Sequence, residues 1–299
     1  MKNYKILVII MFASLFCFYD IIEAQNTRKI PEWRRKNNLI EYDTDLFVSS
    51  YKDVYYLGEE ICIEIRAYNY DKHGPQINGH ITNDLQIINS QGRHYHPNTL
   101  FSVMDAEPMK KNEERKFYVD ILTDYGESSD SSMGFMKYLP VDTYKISAFW
   151  WNQSIVPLES DTLEIKVIEP QGIEKQAYNL YLDLKEAYWY NRYSLFMEKC
   201  DELVLLNPVS VYVPDVLSSK LTIVRCKTRQ VGVDEIYKIS RFILEKHPYS
   251  YYTVVAIFYM NHFDNDQFDR DQYFKELYNK TQSQKLKYEL KKYIHDRTE

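Results

Sequence analysis

The chain has 299 residues, 45% hydrophobic and 27% charged, an ordinary globular composition that excludes a disordered, collagenous or multi-span membrane chain. Lys and Arg number 37 against 43 Asp and Glu, a formal charge of −6, so there is no basic field to displace counterions from a nucleic acid. Eight glycines against 28 tyrosines leave little material for phosphate-cradling loops and much for amphipathic contact surface. At roughly 100–200 residues per domain, the length fits two folded units.

Lys2 and Lys5 precede an apolar run from Ile6 to Phe18, and Ile22-Glu23-Ala24 offers a cut before Gln25, which is the pattern of a secretory signal peptide. The run of about 13 apolar residues is shorter than the roughly 20 that a bilayer core requires. Phe16 stands directly before Cys17, where a lipoprotein box wants a small residue. The expectation is a signal peptide over 1–24, an N-terminal extension over 25–44, and an exported chain that is periplasmic, cell-surface-associated or secreted, with no membrane span after cleavage. Cys62, Cys200 and Cys226 sit among apolar neighbours and read as small buried hydrophobes; a Cys200–Cys226 bridge between adjacent helices stays open as an alternative.

From Asp45 to Ile168 the hydrophobic period is two. Ile61, Ile63 and Ile65 alternate with Cys62, Glu64 and Arg66, which places three isoleucines on one strand face. Comparable runs are Leu46–Tyr51, Thr82–Ile88, Tyr95–Val103, Arg115–Leu122, Thr143–Trp151 and Thr162–Ile168, with Gly58-Glu59, Gly74-Pro75, Ser90-Gln91-Gly92 and Leu139-Pro140 between some of them. With Glu60–Tyr70 this predicts about seven strands over 45–169, the spacing of a two-sheet antiparallel sandwich. Two segments carry a resemblance. Tyr56-Leu57-Gly58-Glu59-Glu60, and Leu139-Pro140-Val141-Asp142-Thr143-Tyr144 with its corner tyrosine, resemble turns of the immunoglobulin-like superfamily of bacterial extracytoplasmic proteins. Asp142 stands where many of those domains have Gly.

After Glu169-Pro170 the period changes to three and four, through Ala177, Tyr181, Leu184 and Tyr188 and then Phe196, Cys200 and Leu203. Further helices are expected over Asp215–Lys227, Asp234–Lys246, Ser250–His262, Asp271–Lys280 and Ser283–His295. Asn207-Pro208-Val209-Ser210-Val211-Tyr212 echoes His247-Pro248-Tyr249-Ser250-Tyr251-Tyr252 forty residues on. In each, Pro stops one helix and Ser is placed to cap the next. The pattern resembles the tetratricopeptide-like helical hairpins of envelope assembly proteins. It implies a helical-repeat domain over 173–297, a short α-solenoid without the Trp, Leu-Gly and Ala positions of the strict repeat. The expected fold is therefore multidomain: an N-terminal all-β immunoglobulin-like sandwich and C-terminal all-α tetratricopeptide-like hairpins.

Chemistry-bearing residues form no catalytic motif. His94 and His96 share a strand face, a spacing that binds zinc only if a third ligand converges. Asp264–Asp271 is oxygen-rich, but Phe268, Asp269 and Lys275 occupy positions where a calcium loop wants an oxygen ligand, Gly and Glu. Ser128–Ser132 lacks a GxSxG frame, and no histidine accompanies the thiols. No catalytic residue, metal ligand or cofactor is assigned. What remains is aromatic surface, because Tyr and Trp offer large contact area at small entropic cost. Trp150, Trp151, Trp189, Tyr190, Tyr249, Tyr251 and Tyr252 are the expected contact residues. The reading is an exported, non-enzymatic binding or scaffold protein that contacts a protein or glycan of the envelope or extracellular space, with no nucleic acid and no membrane span. The alternatives are an enzyme without a motif, hydrolytic or metal-dependent, at the domain junction, favoured if His94, His96 and a carboxylate share one cavity, and a proteinase-inhibitor-like sandwich.

Overall fold

The computed structural model describes residues 44–70, 85–97, 109–121, 125–126, 138–150, 158–227, 232–263 and 268–294. The expected signal peptide, the extension up to residue 43 and the Ser128–Ser132 loop lie outside these residues. Strands come first along the chain and helices second.

The strands are β1 (Thr44–Ser50), β2 (Val54–Tyr56), β3 (Cys62–Asn69), β4 (Leu85–Asn89), β5 (His94–Pro97), β6 (Glu113–Asp120), β7 (Tyr125–Gly126), β8 (Asp142–Trp150), β9 (Leu158–Glu159) and β10 (Leu163–Ile168). One sheet has the order β1-β3-β6; the other runs β2-β10-β8-β4-β5-β7, with β9 beside β8. Neighbours pair antiparallel except β2, which lies parallel to β10 with Tyr56 opposite Ile168. A single apolar core draws on both sheets: Val48, Ile61, Ile63 and Ile65 from the first, and Leu85, Ile87, Tyr144, Ile146, Ile165 and Val167 from the second. The three isoleucines share a buried face, as their alternation requires. The Tyr144 hydroxyl donates to the Pro140 carbonyl at 2.7 Å, closing the corner at the start of β8.

Seven helices follow among the described residues: α1 (Gly172–Trp189), α2 (Tyr193–Leu206), α3 (Val213–Lys227), α4 (Val233–Lys246), α5 (Thr253–His262), α6 (Arg270–Lys280) and α7 (Gln284–Lys291). The switch of period near Pro170 thus coincides with the passage from β10 to α1. Helix α1 touches α2 and α3, α3 touches α4 and α5, and α5 touches α7, so the odd-numbered helices succeed one another along one layer. Their apolar stripes form a second core, and Leu57 packs against both cores. None of the described helices is long and apolar enough to cross a membrane.

The helix start differs from expectation at the second echo turn. Helix α5 starts after Tyr252 with no side-chain cap, so Ser250 does not cap it; the Ser250 and Ser210 hydroxyls accept from the amides of Tyr252 (3.1 Å) and Tyr212 (3.4 Å) inside the turns. The side chains that do cap are Asp269, which accepts from Gln272 N at 2.9 Å, and Ser283, which accepts from Leu286 N at 3.2 Å. Cys62 and Cys200 are buried free thiols, so Cys200 has no bridge to Cys226, whose side chain lies outside the described set.

Candidate functional site

The turn between β2 and β3 is shaped by its own carboxylate. Glu59 N donates to Tyr56 O at 3.0 Å, while the Glu59 side chain accepts from Tyr56 N at 2.8 Å and the Tyr51 hydroxyl at 3.1 Å and pairs with Lys52. Burial raises the Glu59 carboxyl above its ordinary range, with Lys52 pulling the other way. Gly58 turns the chain with φ near 78°, a region that suits glycine.

That turn is seated on the helices. The Tyr212 hydroxyl donates to the Leu57 carbonyl at 2.8 Å. Gly58 lies against the Tyr178 ring so closely that a Cβ there would fall 2.8 Å from Cε2. Tyr178, Tyr181 and Tyr212 form the seat, with Tyr212 centred 5.4 and 5.0 Å from the other two rings. The Tyr178 hydroxyl meets that of Tyr138, before β8, at 2.9 Å. The Tyr181 hydroxyl donates to Asp215 at 2.7 Å, and Lys185 pairs with the same carboxylate at 3.0 Å.

The two echo turns prove to be the same device used twice. In both, residue 210 or 250 donates its amide to the carbonyl of residue 207 or 247 at 3.0 Å, and a carboxylate is gripped from outside the turn. Glu174 of α1 receives Asn207 Nδ2 at 2.7 Å and Ser210 Oγ at 2.9 Å. Glu60 of the β2–β3 turn receives Ser250 Oγ at 3.0 Å and the Tyr251 amide at 2.5 Å. One turn is thus anchored within the helices, and the other ties them to the sheets.

Glu60 shares its burial with charged neighbours. Asp120, at the end of β6, is 0% exposed. Buried Lys285 of α7 donates to the Ser250 carbonyl at 2.5 Å and stands 5.0 Å from the centre of the Tyr251 ring. Desolvation, reinforced by Asp120 and opposed by Lys285, pushes the Glu60 carboxyl up to about 8. Burial likewise pushes the Cys62 thiol up to about 12, so this thiol beside the acids is not a nucleophile at neutral pH.

Two open clefts flank this junction. Tyr51 and Tyr249 stack with centroids 5.6 Å apart and planes 17° apart, and both rings line both clefts. One cleft, about 190 Å³, adds Glu64, Tyr118, Ser283 and Lys285. The other, about 270 Å³, adds Glu59, Glu60, Val209 and His247. His247 Nε2 lies 3.0 Å from the Pro208 carbonyl, and burial pushes the imidazole down to about 4, so it stays neutral and donates to that carbonyl.

The structure disperses the aromatic residues expected from sequence to make one surface. Tyr249 is 43% exposed at the junction, and Tyr251 is half-buried beside Lys285. Tyr252 is 7% exposed: its ring turns inward and takes no part in an exposed face. Trp189 and Tyr190 are 53% and 60% exposed but stand at the far end of α1, roughly 22 Å along the axis from Glu174 at 1.5 Å per residue. Trp151 and the side chain of Trp150 lie outside the described residues. His94 sits 3.3 Å from the Gln86 amide and lines neither cleft; the His96 side chain is outside the described set. No metal-holding cluster of His, Cys, Asp or Glu occurs among the described residues. The residues sequence reasoning missed are Tyr51, Glu60, Asp120 and Lys285. The one signal for them was Glu59-Glu60, two carboxylates directly before an apolar strand.

No protein-family model and no curated protein matches the chain. Among solved structures, a mutant β-glucosidase from Listeria innocua in complex with laminaribiose is similar at 14% identity, over 42% of this chain and 16% of that one, with a TM-score of 0.23. A score of that size carries no argument about fold or activity.

Proposed function

We propose that this chain is an exported, non-enzymatic binding protein: an immunoglobulin-like sandwich locked against a short tetratricopeptide-like solenoid, docking an envelope or extracellular macromolecule across their junction. The observation that carries this reading is the exposed Tyr51–Tyr249 stack, one ring from the sheets and one from the second echo turn, with a cleft on either side. Aromatic rings held in place by a rigid junction present contact area at low entropic cost. The corner bond of Tyr144 supports the sandwich half of the reading, and the paired echo turns with their succession of odd-numbered helices support the solenoid half.

The test is affinity capture from an envelope extract with the full chain, run beside the Tyr51→Ala/Tyr249→Ala double variant. The reading expects a reproducible macromolecule on the parent bait that the double variant loses. Equal capture by both baits, or turnover of a small molecule by the purified chain, counts against it.

A further inference from the structure

We propose that Glu60 is a proton-operated latch between the sheets and the helical stack: protonated, it holds the 247–252 turn closed on the β2–β3 turn, and ionised, it loosens that contact. The geometry places this side chain at the only point, among the described residues, where an echo turn is gripped by a carboxylate from the sheets. Its sister, Glu174, grips the other turn from within the helices and is half-buried, with solvent beside it.

The groups facing Glu60 come from every packed element. Asp120 approaches from β6 and Cys62 from β3, Tyr51 and Glu59 from the flanks of the β2–β3 turn, and Tyr252 from the start of α5. Lys285 approaches from α7, and Lys246 and His247 line the adjoining cleft. An ionised Glu60 adds negative charge beside the Asp120 carboxyl where both side chains are largely withdrawn from water, 6% and 0% exposed, and like charges repel more strongly there than in solvent. A protonated Glu60 avoids this without losing a bond. Oε1 still accepts from the Tyr251 amide, and the Oε2 hydroxyl donates to Ser250 Oγ, which takes either role. Breaking the contact wets the carboxyl and restores ordinary acidity. Closed and open forms therefore differ in proton affinity, and pH moves the balance between them.

The sign follows from the raised closed-state value. The latch is tightest below about 4.5, the ordinary glutamate value, weakens as pH rises, and reaches its loosest state above about 8. Within that window one released proton raises the opening constant by up to about tenfold per pH unit.

Hydrogen exchange of the full chain by mass spectrometry, from pH 5 to 9 and corrected for intrinsic rates, tests this. Peptides covering 56–62 and 247–254 should lose protection steeply from pH 5 to 8 and then level off, while the sister turn at 207–212 shows no such slope. Glu60→Gln, a neutral isostere of the protonated acid, should hold protection flat. Lys285→Met, which removes the opposing cation, should leave the onset of the fall in place and carry its levelling-off to higher pH. A flat wild-type profile, a slope retained in Glu60→Gln, or an unmoved levelling-off in Lys285→Met would each overturn the latch.

Discussion

Gly58 rests against the tyrosines of the helices, and replacing it measures that approach. In Gly58→Ala the added Cβ meets Tyr178 Cε2 at 2.8 Å, inside any tolerated contact, with Tyr181 Cε1 at 3.5 Å behind it. Tyr178 has no room to retreat, because its hydroxyl is tied to Tyr138 and its ring packs on Tyr212. The backbone adds its own cost, since φ near 78° disfavours an L side chain by about 1–2 kcal/mol. Gly92 supplies the control: its φ is 79°, but nothing lies within 4 Å of its Cβ position, so Gly92→Ala carries the backbone term alone. Overpacking typically costs about 1–3 kcal/mol, so Gly58→Ala should be less stable than Gly92→Ala by roughly that amount. At 2–4 °C per kcal/mol for a chain of this size, the Tm gap is roughly 2–12 °C. Thermal unfolding followed by circular dichroism reads it directly. Equal losses in the two variants would mean that the β2–β3 turn does not rest on the tyrosine seat.

Three further outcomes are expected. Ser210→Ala and Ser250→Ala each remove a hydroxyl that grips a carboxylate, and both should destabilise by about 1–3 kcal/mol in urea titrations; Ser250→Ala should cost more, because Glu60 is the more deeply buried acid. Cys62 and Cys200, whose thiols burial pushes up to about 12, should resist alkylation in the native chain at pH 8 and react fully in denaturant, as peptide mass spectrometry will show. His247 should titrate near 4 by NMR. Its folded-state value lies below the unfolded one, so its contribution to stability is complete above about 6.5 and is lost as pH falls toward 4.

Much of this architecture was legible as period. Alternation through Ile61, Ile63 and Ile65 gave β3 and its buried face, and the three-four spacing of Ala177, Tyr181 and Leu184 gave α1. These signals survive because each arises from one element against one core. Strand β2 was not legible: three residues pairing parallel with β10 leave no periodic trace, because the partner lies more than a hundred residues away. Of the expected strand Tyr95–Val103, β5 covers Tyr95 to Pro97 and the remainder lies outside the described residues. The echo of Pro208 and Pro248 marked two turns with matching hydrogen bonds, yet the grip of their serines on an outside carboxylate left no signal, since capping and gripping use the same residue type. The site was the least legible part. Glu60, Asp120, Ser250 and Lys285 are scattered over more than 200 residues, and only tertiary packing brings them together. The aromatic surplus was visible, but one-dimensional spacing could not tell that Tyr252 turns inward while Tyr249 finds Tyr51.

The most direct test of the whole account is residue-resolved hydrogen exchange of the intact chain at about pH 4.5, where the latch is closed. If the β2–β3 turn is locked into the helices, the amides of Leu57, Glu59 and Tyr251 should exchange as slowly as those of β3 and α5, in one cooperative opening. Fast exchange of Leu57 and Glu59 beside a protected β3, the behaviour of a free surface turn, would contradict it.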